Sequence, residues 1–588
     1  MRPQSRQVDP SDRVVPAVCV SLILWLWVAS GITAQEPVAN KSFSERVDVD
    51  LVQLKVNVTD GDGRPVIGLT RDDFRIRYGG QKVEPALFSA VERAADEQTA
   101  SATDAGEEPS FVLLLVDENH LDGGFEEAGV AAVADFVAGL GGEDRTMVVS
   151  AKGDELSVVQ SFTRDAGEVA SALRRLDVGP SPTSSAVEFR RLMDEIRRVE
   201  ERPAGDGPAR SLSSDELPMA LRGQIEGLAQ EAYRELAALT LGVDRAITAM
   251  AGLPGRRDLV LITGSLPNRV AHELNLAWNR AFGYGSDLKS RPSLVEEFGG
   301  VERLDNQAAQ IGIRAAGTEE LFGLLARRAN AQAVTLHVVG SVGRRDGERR
   351  VDDPAIAVRM AERTGGRAVV GQNAHRVLGT VSGDLHSYYV LAFTPPQPAR
   401  ADSGEPQDGA PVDVEVRLAR RLKNLAVAYR ESVRPIPLEE RAALSAVSEL
   451  LLGSESATET DTGGLGLRAE VPSRAEGRDD VLRLPVVVFI PLRGLTMVET
   501  ETGDRQGRVS LHFTTGDLTR GARPVQQVVL PFQLTPDQLE GLEERQIEYN
   551  IDIPMGLDSQ RVAVALRDDL SGDVWTASAE IQRLRLTP

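Results

Sequence analysis

The polar residues with the clearest chemical potential follow an apolar run in the stretch "FVLLLVDENHLDGG", residues 111–124. Asp117, Glu118, Asn119 and Asp122 offer carboxylate and amide oxygens, which are the ligands that Mg²⁺ and Ca²⁺ prefer in proteins. The stretch is therefore a candidate cation site. The alternative is that Asp117 only caps a helix or organises a loop at the end of a buried strand.

His120 lies three residues after Asp117 and could form an Asp/His pair for proton transfer. A hydrolase would also need a nucleophile, and Ser265 is the residue that topology could place nearby. No G-x-S-x-G elbow surrounds Ser265, and the six histidines show no H-E-x-x-H spacing. No G-x-x-x-x-G-K-[ST] loop for nucleotide phosphates occurs either. The sequence therefore predicts a binding protein and not an enzyme.

The apolar run before Asp117 predicts a strand buried on both faces, because it lacks the alternation of a half-exposed strand. Similar runs alternate with helical patterns along the chain: "TMVVSAKG", "LSVVQSFT", "RDLVLITG", "AVTLHVVG" and "RAVVGQ". This alternation predicts a doubly wound, mostly parallel α/β sheet. Ligands of such sheets bind at the carboxyl ends of the strands. The predicted ligand-binding residues at that edge are Asp117, Asn119, His120, Thr263 and Ser265.

Two segments interrupt the alternation within the predicted α/β domain, residues 110–437. Residues 181–253 are mostly helix-forming and are predicted to be a helical insertion of packed amphipathic helices. Residues 268–317 are predicted to be a loop insertion that carries the aromatic stretch "LAWNRAFGYGSDL". Because this second insertion follows the strand "LVLITG", it is expected to project from the same edge as Asp117 and to be a candidate for ligand contact.

Short alternating strands flank the α/β domain on both sides. Residues 43–92 predict a small β module, and the acidic segment 93–109 predicts a linker. After the domain, residues 438–475 predict a helix and a flexible linker. Residues 476–588 contain several alternating strands between turn signals, which predicts a second, sandwich-like β module.

The N-terminus has the pattern of an export signal. Basic residues precede an apolar run, and the small residues "SGITA" end at Ala34, so residues 1–34 are predicted to be a cleaved signal peptide. An uncleaved segment would be the only membrane anchor. The single cysteine, Cys19, lies inside this segment, so a cleaved chain has no disulfide or thiolate chemistry. The predicted location is secreted, periplasmic or at the cell envelope.

The charge of the chain excludes one class of partner. The net charge is −22 over 588 residues, and no basic face stands out. Nucleic-acid binding needs such a face to neutralise phosphates. No nucleic-acid partner is therefore expected, and the acidic surface mainly favours solubility.

Several segments resemble, in order and wording, the secreted bacterial VWFA-related domain family. They span residues 47–437 and include "VDLVQLKVNVTDGDGRPVIGLTRDDFRI", "VLLLVD", "GLPGRRDLVLITG", "SYYVLAFTP" and "VRPIP". The resemblance implies an exported protein with a von Willebrand factor A-like α/β domain between N-terminal and C-terminal β-sandwich-like modules. It also implies a possible protein ligand, since related A domains commonly bind protein ligands through Mg²⁺ at the strand ends.

The family's metal-ion-dependent adhesion motif is incomplete in this sequence. The motif has D-x-S-x-S after the first strand, a later threonine, and an aspartate after the fourth strand. Asp117 matches the first position, but Asn119 and Leu121 replace the serines and Gly264 replaces the aspartate. A leucine side chain cannot coordinate a cation, so the site is predicted to be degenerate. No cofactor is predicted, and Mg²⁺ or Ca²⁺ on Asp117 and Asn119 is the remaining metal hypothesis.

These observations lead to one functional hypothesis and two alternatives. The protein is expected to be a secreted or envelope-associated binding protein that takes an unknown protein partner at the strand-end edge. The first alternative is a scaffold subunit of an envelope complex without a ligand site at that edge. The second is a metal-dependent or Asp/His-assisted hydrolase.

Overall fold

A computed structural model describes most of the chain after residue 50. The described residues are 51–92, 109–121, 127–140, 144–176, 184–201, 216–264, 266, 271–282, 317–340, 355–370, 374–396, 410–422, 424–453, 464–474, 481–500, 502–539, 545–556 and 559–581. The predicted signal peptide and the 93–109 linker lie outside these residues, apart from Pro109.

The elements follow one another in four groups. Four strands come first: β1 (Val52–Thr59), β2 (Phe74–Tyr78), β3 (Gln81–Val83) and β4 (Leu87–Glu92). The α/β region follows: β5 (Ser110–Asp117), α1 (Glu127–Ala138), β6 (Arg145–Lys152), β7 (Glu155–Thr163), α2 (Ala166–Arg175), α3 (Ser184–Glu200), α4 (Glu216–Met250), β8 (Arg256–Thr263), α5 (His272–Phe282), α6 (Gly317–Ala331), β9 (Thr335–Gly340), α7 (Ala355–Arg363), β10 (Ala368–Val370) and α8 (Ala374–His386). The third group is β11 (Ser387–Phe393), β12 (Val412–Leu418), β13 (Ala426–Tyr429), β14 (Ser432–Val433) and α9 (Leu438–Leu452). The fourth is β15 (Gly466–Ala469), β16 (Ser473–Arg474), β17 (Val481–Pro491), β18 (Val498–Glu499), β19 (Arg505–Asp517), β20 (Gly521–Ala522), β21 (Gln526–Leu534), α10 (Pro536–Leu539), β22 (Gln546–Gly556), β23 (Arg561–Asp568) and β24 (Val574–Glu580).

The central sheet has six strands in the order β10-β9-β8-β5-β6-β7. All neighbours are parallel except β6 and β7, which form an antiparallel pair. All eight residues of β5 are buried, as its unbroken apolar run predicts. The prediction of a mixed α/β fold with a mostly parallel sheet is therefore confirmed.

Helices cover both faces of this sheet. On one face, Val112, Leu114 and Val116 of β5 share a core with α1, α2 and α8. On the other face, Leu113 and Leu115 share a core with α4, α6 and α7. Full burial of one such leucine side chain contributes about 1.5–3 kcal/mol to folding. Because successive side chains of β5 point to opposite faces of the sheet, this one strand packs against both helical layers.

The path of the chain through the sheet reverses between β5 and β8. From β5 the chain runs outward through β6 and β7, then returns to β8 on the other side of β5 and continues to β9 and β10. The connections diverge at this point, and open α/β sheets form their ligand-binding crevice at such a point, which here is outside the carboxyl ends of β5 and β8. Asp117 and Thr263 are the last residues of these two strands.

The 181–253 segment differs from the predicted insertion. The second half of α4, including Leu236, Val243 and Ile247, packs on the central sheet and belongs to one of its two helical layers. Only α3, the start of α4 and α5 form a separate small core. Amphipathic spacing marks both halves of α4 as helical, but it does not say which half covers the sheet.

The strands of the predicted 43–92 module pair with strands that follow the α/β region. β1 pairs with β11 and β13, and β11 also pairs with β4, which gives one four-stranded sheet. β2 pairs with β3 and β12, and β12 pairs with β14, which gives the other. Both sheets share one hydrophobic core. The predicted boundaries at residues 92 and 110 therefore do not separate two independent units. The sequence contains no sign of these pairings, because the paired strands are more than 300 residues apart.

The C-terminal strands form two antiparallel sheets around a common core. One contains β15, β16, β17 and β22, and the other contains β18, β19, β20, β21, β23 and β24. The strands β15 and β16 precede residue 476, where the sequence places the start of this module. Helix α9 contacts α4 on one side and β19, β23 and β24 on the other, so it joins this unit to the α/β region.

The buried His512 makes the stability of this unit depend on pH. The side chain is 3% exposed on β19, and its Nε2 has no hydrogen-bond partner among the described residues. Burial and the nearby Arg567 charge outweigh the carboxylates of Asp569 and Glu439 and lower the pKa of His512 from 6.5. The unfolded chain therefore takes up the proton more readily than the folded one.

We expect the free energy of unfolding to be highest above pH 6.5 and to fall as the pH drops from 6.5 toward the lower folded pKa of His512. Urea denaturation at about pH 7.5 and about pH 5.5 measures this change. In His512→Gln the difference between the two pH values becomes smaller. An unchanged difference would assign the pH dependence to other groups.

Candidate functional site

The site is built where β5 and β8 end side by side. Asp117 and Thr263 directly follow Val116 and Ile262, which are paired in the parallel register. Both side chains are buried, and the Thr263 hydroxyl donates a hydrogen bond to Asp117 Oδ2 at 2.7 Å. The last two residues of these strands are therefore joined at the crevice that the sheet order creates.

The turn after β5 brings His120 back over Asp117. The Leu121 amide donates to the Asp117 carbonyl at 3.2 Å, which closes this turn. His120 Nδ1 lies 2.8 Å from Asp117 Oδ2, and because a carboxylate oxygen accepts, Nδ1 is the donor. The His120 side chain is 18% exposed, so it covers the buried carboxylate and reaches the surface.

The second carboxylate oxygen of Asp117 is the unusual feature of the site. Asp117 is 0% exposed, and its Oδ1 atom has no hydrogen-bond partner within the part of the chain that the structure describes. Leaving such a buried acceptor unsatisfied costs about 1–3 kcal/mol. A donor group or a cation that reached this oxygen would remove that cost. The crevice thus contains one strong, unused acceptor.

Glu118 belongs to a second polar cluster on the β6 side. Its carboxylate accepts a short hydrogen bond from the Ser150 hydroxyl and forms an ion pair with Lys152, with Nζ 3.2 Å from Oε2. The Glu118 amide also donates to the Ala151 carbonyl at 3.0 Å. Glu118 therefore faces away from Asp117. The residue types of Ser150 and Lys152 gave no signal in the sequence, and only the parallel register of β5 and β6 brings them here.

Of the remaining predicted residues, Asn119 is described and does not contact Asp117. Asn119 lies over the β6–β7 turn, where its Nδ2 would be 3.9 Å from a Cβ added at Gly153. Ser265 and Asp122 lie outside the described residues. Of the five predicted ligand-binding residues, the structure places Asp117, His120 and Thr263 in direct contact.

The described residues around Asp117 do not complete an adhesion-type metal site. Asp117 Oδ2 already accepts from Thr263 and His120, and Leu121 is buried in the core on one sheet face. Gly264 offers no side-chain oxygen. No group of three His, Cys, Asp or Glu side chains in the described ranges could hold a metal ion. The chemistry left at the crevice is that of a hydrogen-bonded carboxylate.

The aromatic residues of the predicted loop insertion that are described are part of helix α5. Trp278 Nε1 donates to the Pro218 carbonyl at 3.1 Å, and the Trp278 and Phe282 rings lie 5.7 Å apart. Both rings pack against the small core of α3, α4 and α5. These two rings therefore stabilise the packing of the helices, whereas the sequence predicted that this stretch contacts a ligand. The remainder of the predicted loop insertion, residues 283–316, lies outside the described residues.

Comparisons with known proteins give similarities only to solved structures. No family model matches the chain, and no curated protein matches it. The chain is similar to the SpRpn10 VWA domain (10% identity, 45% of this chain and 87% of that chain, TM-score 0.19). It is similar to the conserved hypothetical protein BatB from Bacteroides thetaiotaomicron (10%, 47% and 97%, 0.20). It is also similar to the vWF domain of the type V pili tip protein Mfa5 from Porphyromonas gingivalis (10%, 47% and 95%, 0.19).

A helix that crosses a bilayer has to be both long and apolar. Crossing needs about 20 consecutive, predominantly apolar residues. Within the described ranges, no helix meets this requirement of length and apolar character.

Proposed function

We propose that the protein is an exported, non-enzymatic binding protein that takes a partner protein at the crevice between β5 and β8. The observation that carries the proposal is the buried Asp117 carboxylate at the sheet's reversal point, with one oxygen held by Thr263 and His120 and the other unused. Open α/β sheets bind their ligands at such points. The likeness of the chain to the secreted VWFA-related family in its segment order supports export and a protein ligand.

Binding at this crevice does not use a metal in the proposed function. This part of the proposal is supported by the described residues, which contain no group of three His, Cys, Asp or Glu side chains that could hold a metal ion, whereas Mg²⁺ prefers six oxygen ligands. A partner group that donates a hydrogen bond to Asp117 Oδ1 would instead supply the missing interaction. Because His120 covers the carboxylate, we propose that its side chain moves when the partner binds.

A catalytic role has less support at this site. The Thr263 hydroxyl donates to Asp117 Oδ2, and this oxygen also accepts from His120, so the carboxylate that faces Thr263 already holds two donors and is not free to act as its base. The His120 Nδ1 proton is held by the same carboxylate. A hydrolase would depend on Ser265, which the described residues do not include. We therefore propose a non-enzymatic function for the protein.

One observation favours the scaffold alternative. Asp117 is 0% exposed, and its hydrogen bonds with Thr263 and His120 join the ends of two central strands. In this alternative the cluster only organises the sheet edge. The two functions predict different results for a variant that changes the Asp117 carboxylate and retains the fold. The binding function predicts that the variant loses its partner, and the scaffold function predicts that it does not.

Capture of a partner by the immobilised chain 35–588 from envelope fractions tests the proposal. We expect Asp117→Asn to keep the fold, checked by circular dichroism, and to lower the yield of the specifically captured protein at least tenfold. EDTA leaves capture by the wild type unchanged. Asp62→Asn is the control, because Asp62 lies in an exposed turn and forms an ion pair with Arg64.

Three outcomes separate the alternatives. Equal capture by wild type and Asp117→Asn contradicts the crevice site and favours the scaffold. Loss of capture in EDTA contradicts metal-free binding. Loss in both the Asp117 and Asp62 variants indicates a general effect of charge and removes the support for this site.

A further inference from the structure

The C-terminal unit has two long edge strands on one side. β22 pairs with β17 along all 11 of its residues, and β21 pairs with β19 along its 9 residues. Neither strand has a second partner among the described residues. β22 contacts β19, the partner of β21, so both edge strands belong to the same side of the unit. Each strand contains one proline, Pro531 or Pro554, and the rest of its length offers main-chain groups that can act as a template for an added strand.

Apolar side chains line this open side. Every second residue of each edge strand points toward the C-terminal core, and six of these residues are only partly buried: Val528, Leu530 and Phe532 on β21, and Ile547, Tyr549 and Ile551 on β22. At the opposite side, β15 contacts β24, and apolar side chains of these two strands are likewise partly buried against the core. The apolar rows of β21 and β22 are therefore partly accessible at their own edge of the unit.

The rings at the open side are held in place. Phe532 pairs with Gly507 across the sheet, and a Cβ added at Gly507 would be 2.3 Å from the Phe532 ring. The ring thus lies flat over the glycine, an arrangement that fixes its position. Burial raises the pKa of Tyr549, in keeping with a ring that is partly removed from water. A ligand would meet a preformed apolar surface.

The exposed face of β22 carries negative charge. Glu548 and Asp552 alternate with the apolar row and are exposed, and no ion pair joins either to another described residue. A second copy of the chain pairing through β22 about Asn550 would place Glu548 opposite Asp552. Like charges at directly opposed positions destabilise a strand pair. The charges therefore disfavour self-association and favour a partner strand with basic residues.

We propose that β22 is the docking edge for an extended peptide segment with alternating apolar and basic residues, which adds to the sheet as a further strand. Main-chain hydrogen bonds to the outer edge of β22 supply affinity. The apolar residues of the segment fill the open side next to Tyr549 and Ile551. Its basic residues lie beside Glu548 and Asp552. This surface is separate from the β5–β8 crevice and does not depend on the function proposed there.

A labelled nine-residue peptide that alternates lysine and valine is the probe, measured by fluorescence anisotropy with the chain 35–588. We expect it to bind more tightly than a peptide of the same composition with its lysines and valines in two blocks. Binding protects the amides of β22 from hydrogen exchange. The variant Glu548→Lys/Asp552→Lys weakens binding of this probe at least tenfold and binds an alternating glutamate and valine peptide instead.

A matched variant separates local recognition from attraction to an acidic protein. Glu499→Lys/Asp537→Lys makes the same change in net charge at other exposed sites of the C-terminal unit and leaves binding unchanged. Tyr549→Ala retains both charges and weakens binding through the lost apolar contact. The proposal is overturned if the block peptide binds equally well, if both double variants lose binding alike, or if protection appears outside β22.

Discussion

Replacing Asp258 with alanine is expected to lower the free energy of unfolding by about 3–5 kcal/mol, the usual cost of removing one partner from a buried charge pair. Asp258 is 0% exposed at the start of β8. Arg256 Nη2 donates to its Oδ1 at 2.9 Å, and Arg256 Nε donates to its Oδ2. Without the carboxylate, a largely buried guanidinium loses its counter-charge. Urea denaturation at neutral pH measures the loss.

His337 makes the loss larger. Its Nδ1 accepts from the Arg367 amide at 3.2 Å, so Nε2 carries the proton and donates to Asp258 Oδ1 at 3.2 Å. The sequence predicts His337 to be packed inside a strand, and it is 1% exposed there. In Asp258→Ala this buried donor also loses its acceptor, which adds to the cost.

The pH dependence gives a second test of the Asp258 cluster. Burial alone would raise the pKa of Asp258, but the Arg256 charge and the His337 hydrogen bond outweigh it and hold the pKa below 3.8. Its contribution is therefore present above pH 3.8 and is lost as the pH falls through the folded pKa. The alanine variant should lack this part of the acid-induced loss of stability. Asp62→Ala, at an exposed ion pair, should change the free energy of unfolding by less than about 0.5 kcal/mol.

The second large effect is expected for Gly252→Ala, with a loss of about 3 kcal/mol. Gly252 lies against the backbone of α9, and a Cβ there would be 2.2 Å from the Leu444 carbonyl carbon and 2.3 Å from the Ser445 nitrogen. The Gly252 amide also donates to the Ser448 hydroxyl at 2.8 Å. A methyl group must push the helix away and break this hydrogen bond. Because α9 joins the C-terminal unit to the α/β region, its displacement should also expose α9 amides to hydrogen exchange.

Gly223→Ala is the matched control for Gly252→Ala. Gly223 is inside helix α4, and no atom lies within 4 Å of its added Cβ. Because no described atom outside the helix's own backbone crowds this position, alanine there should stabilise the protein by about 0.5–1 kcal/mol, since glycine loses more backbone entropy in a helix. Equal effects of the two substitutions would contradict the close docking of α9. So would faster exchange confined to α4.

The strand-end cluster was predictable as far as the fold class allowed. The order of apolar runs places the ends of β5 and β8 at one edge, and this is enough to bring Asp117 near Thr263. The contact of His120 with the same carboxylate oxygen depends on the turn that ends at Leu121. Whether Oδ1 has a hydrogen-bond donor depends on the positions of all the side chains packed around Asp117. Neither has a signal in the residue types alone.

Periodicity likewise identified α4 as helical without showing where it packs. A stripe of apolar residues requires burial but does not name the surface that buries it. The first half of α4 packs against α3 and α5, whereas the second half packs against the central sheet. The close approach of α9 to Gly252 could not be expected either, since it joins positions that are nearly 200 residues apart.

The sequence by itself determined the buried central strands, the mostly parallel α/β sheet and the polar edge that begins at Asp117, because these follow from local apolar patterns and short connections. Only the tertiary structure decided that strands 52–92 pair with strands 387–433, and that two edges of the C-terminal unit remain open. Both depend on strand pairing between distant segments. A strand's own residues specify that it must pair, but the partner is chosen by the three-dimensional arrangement of the whole chain.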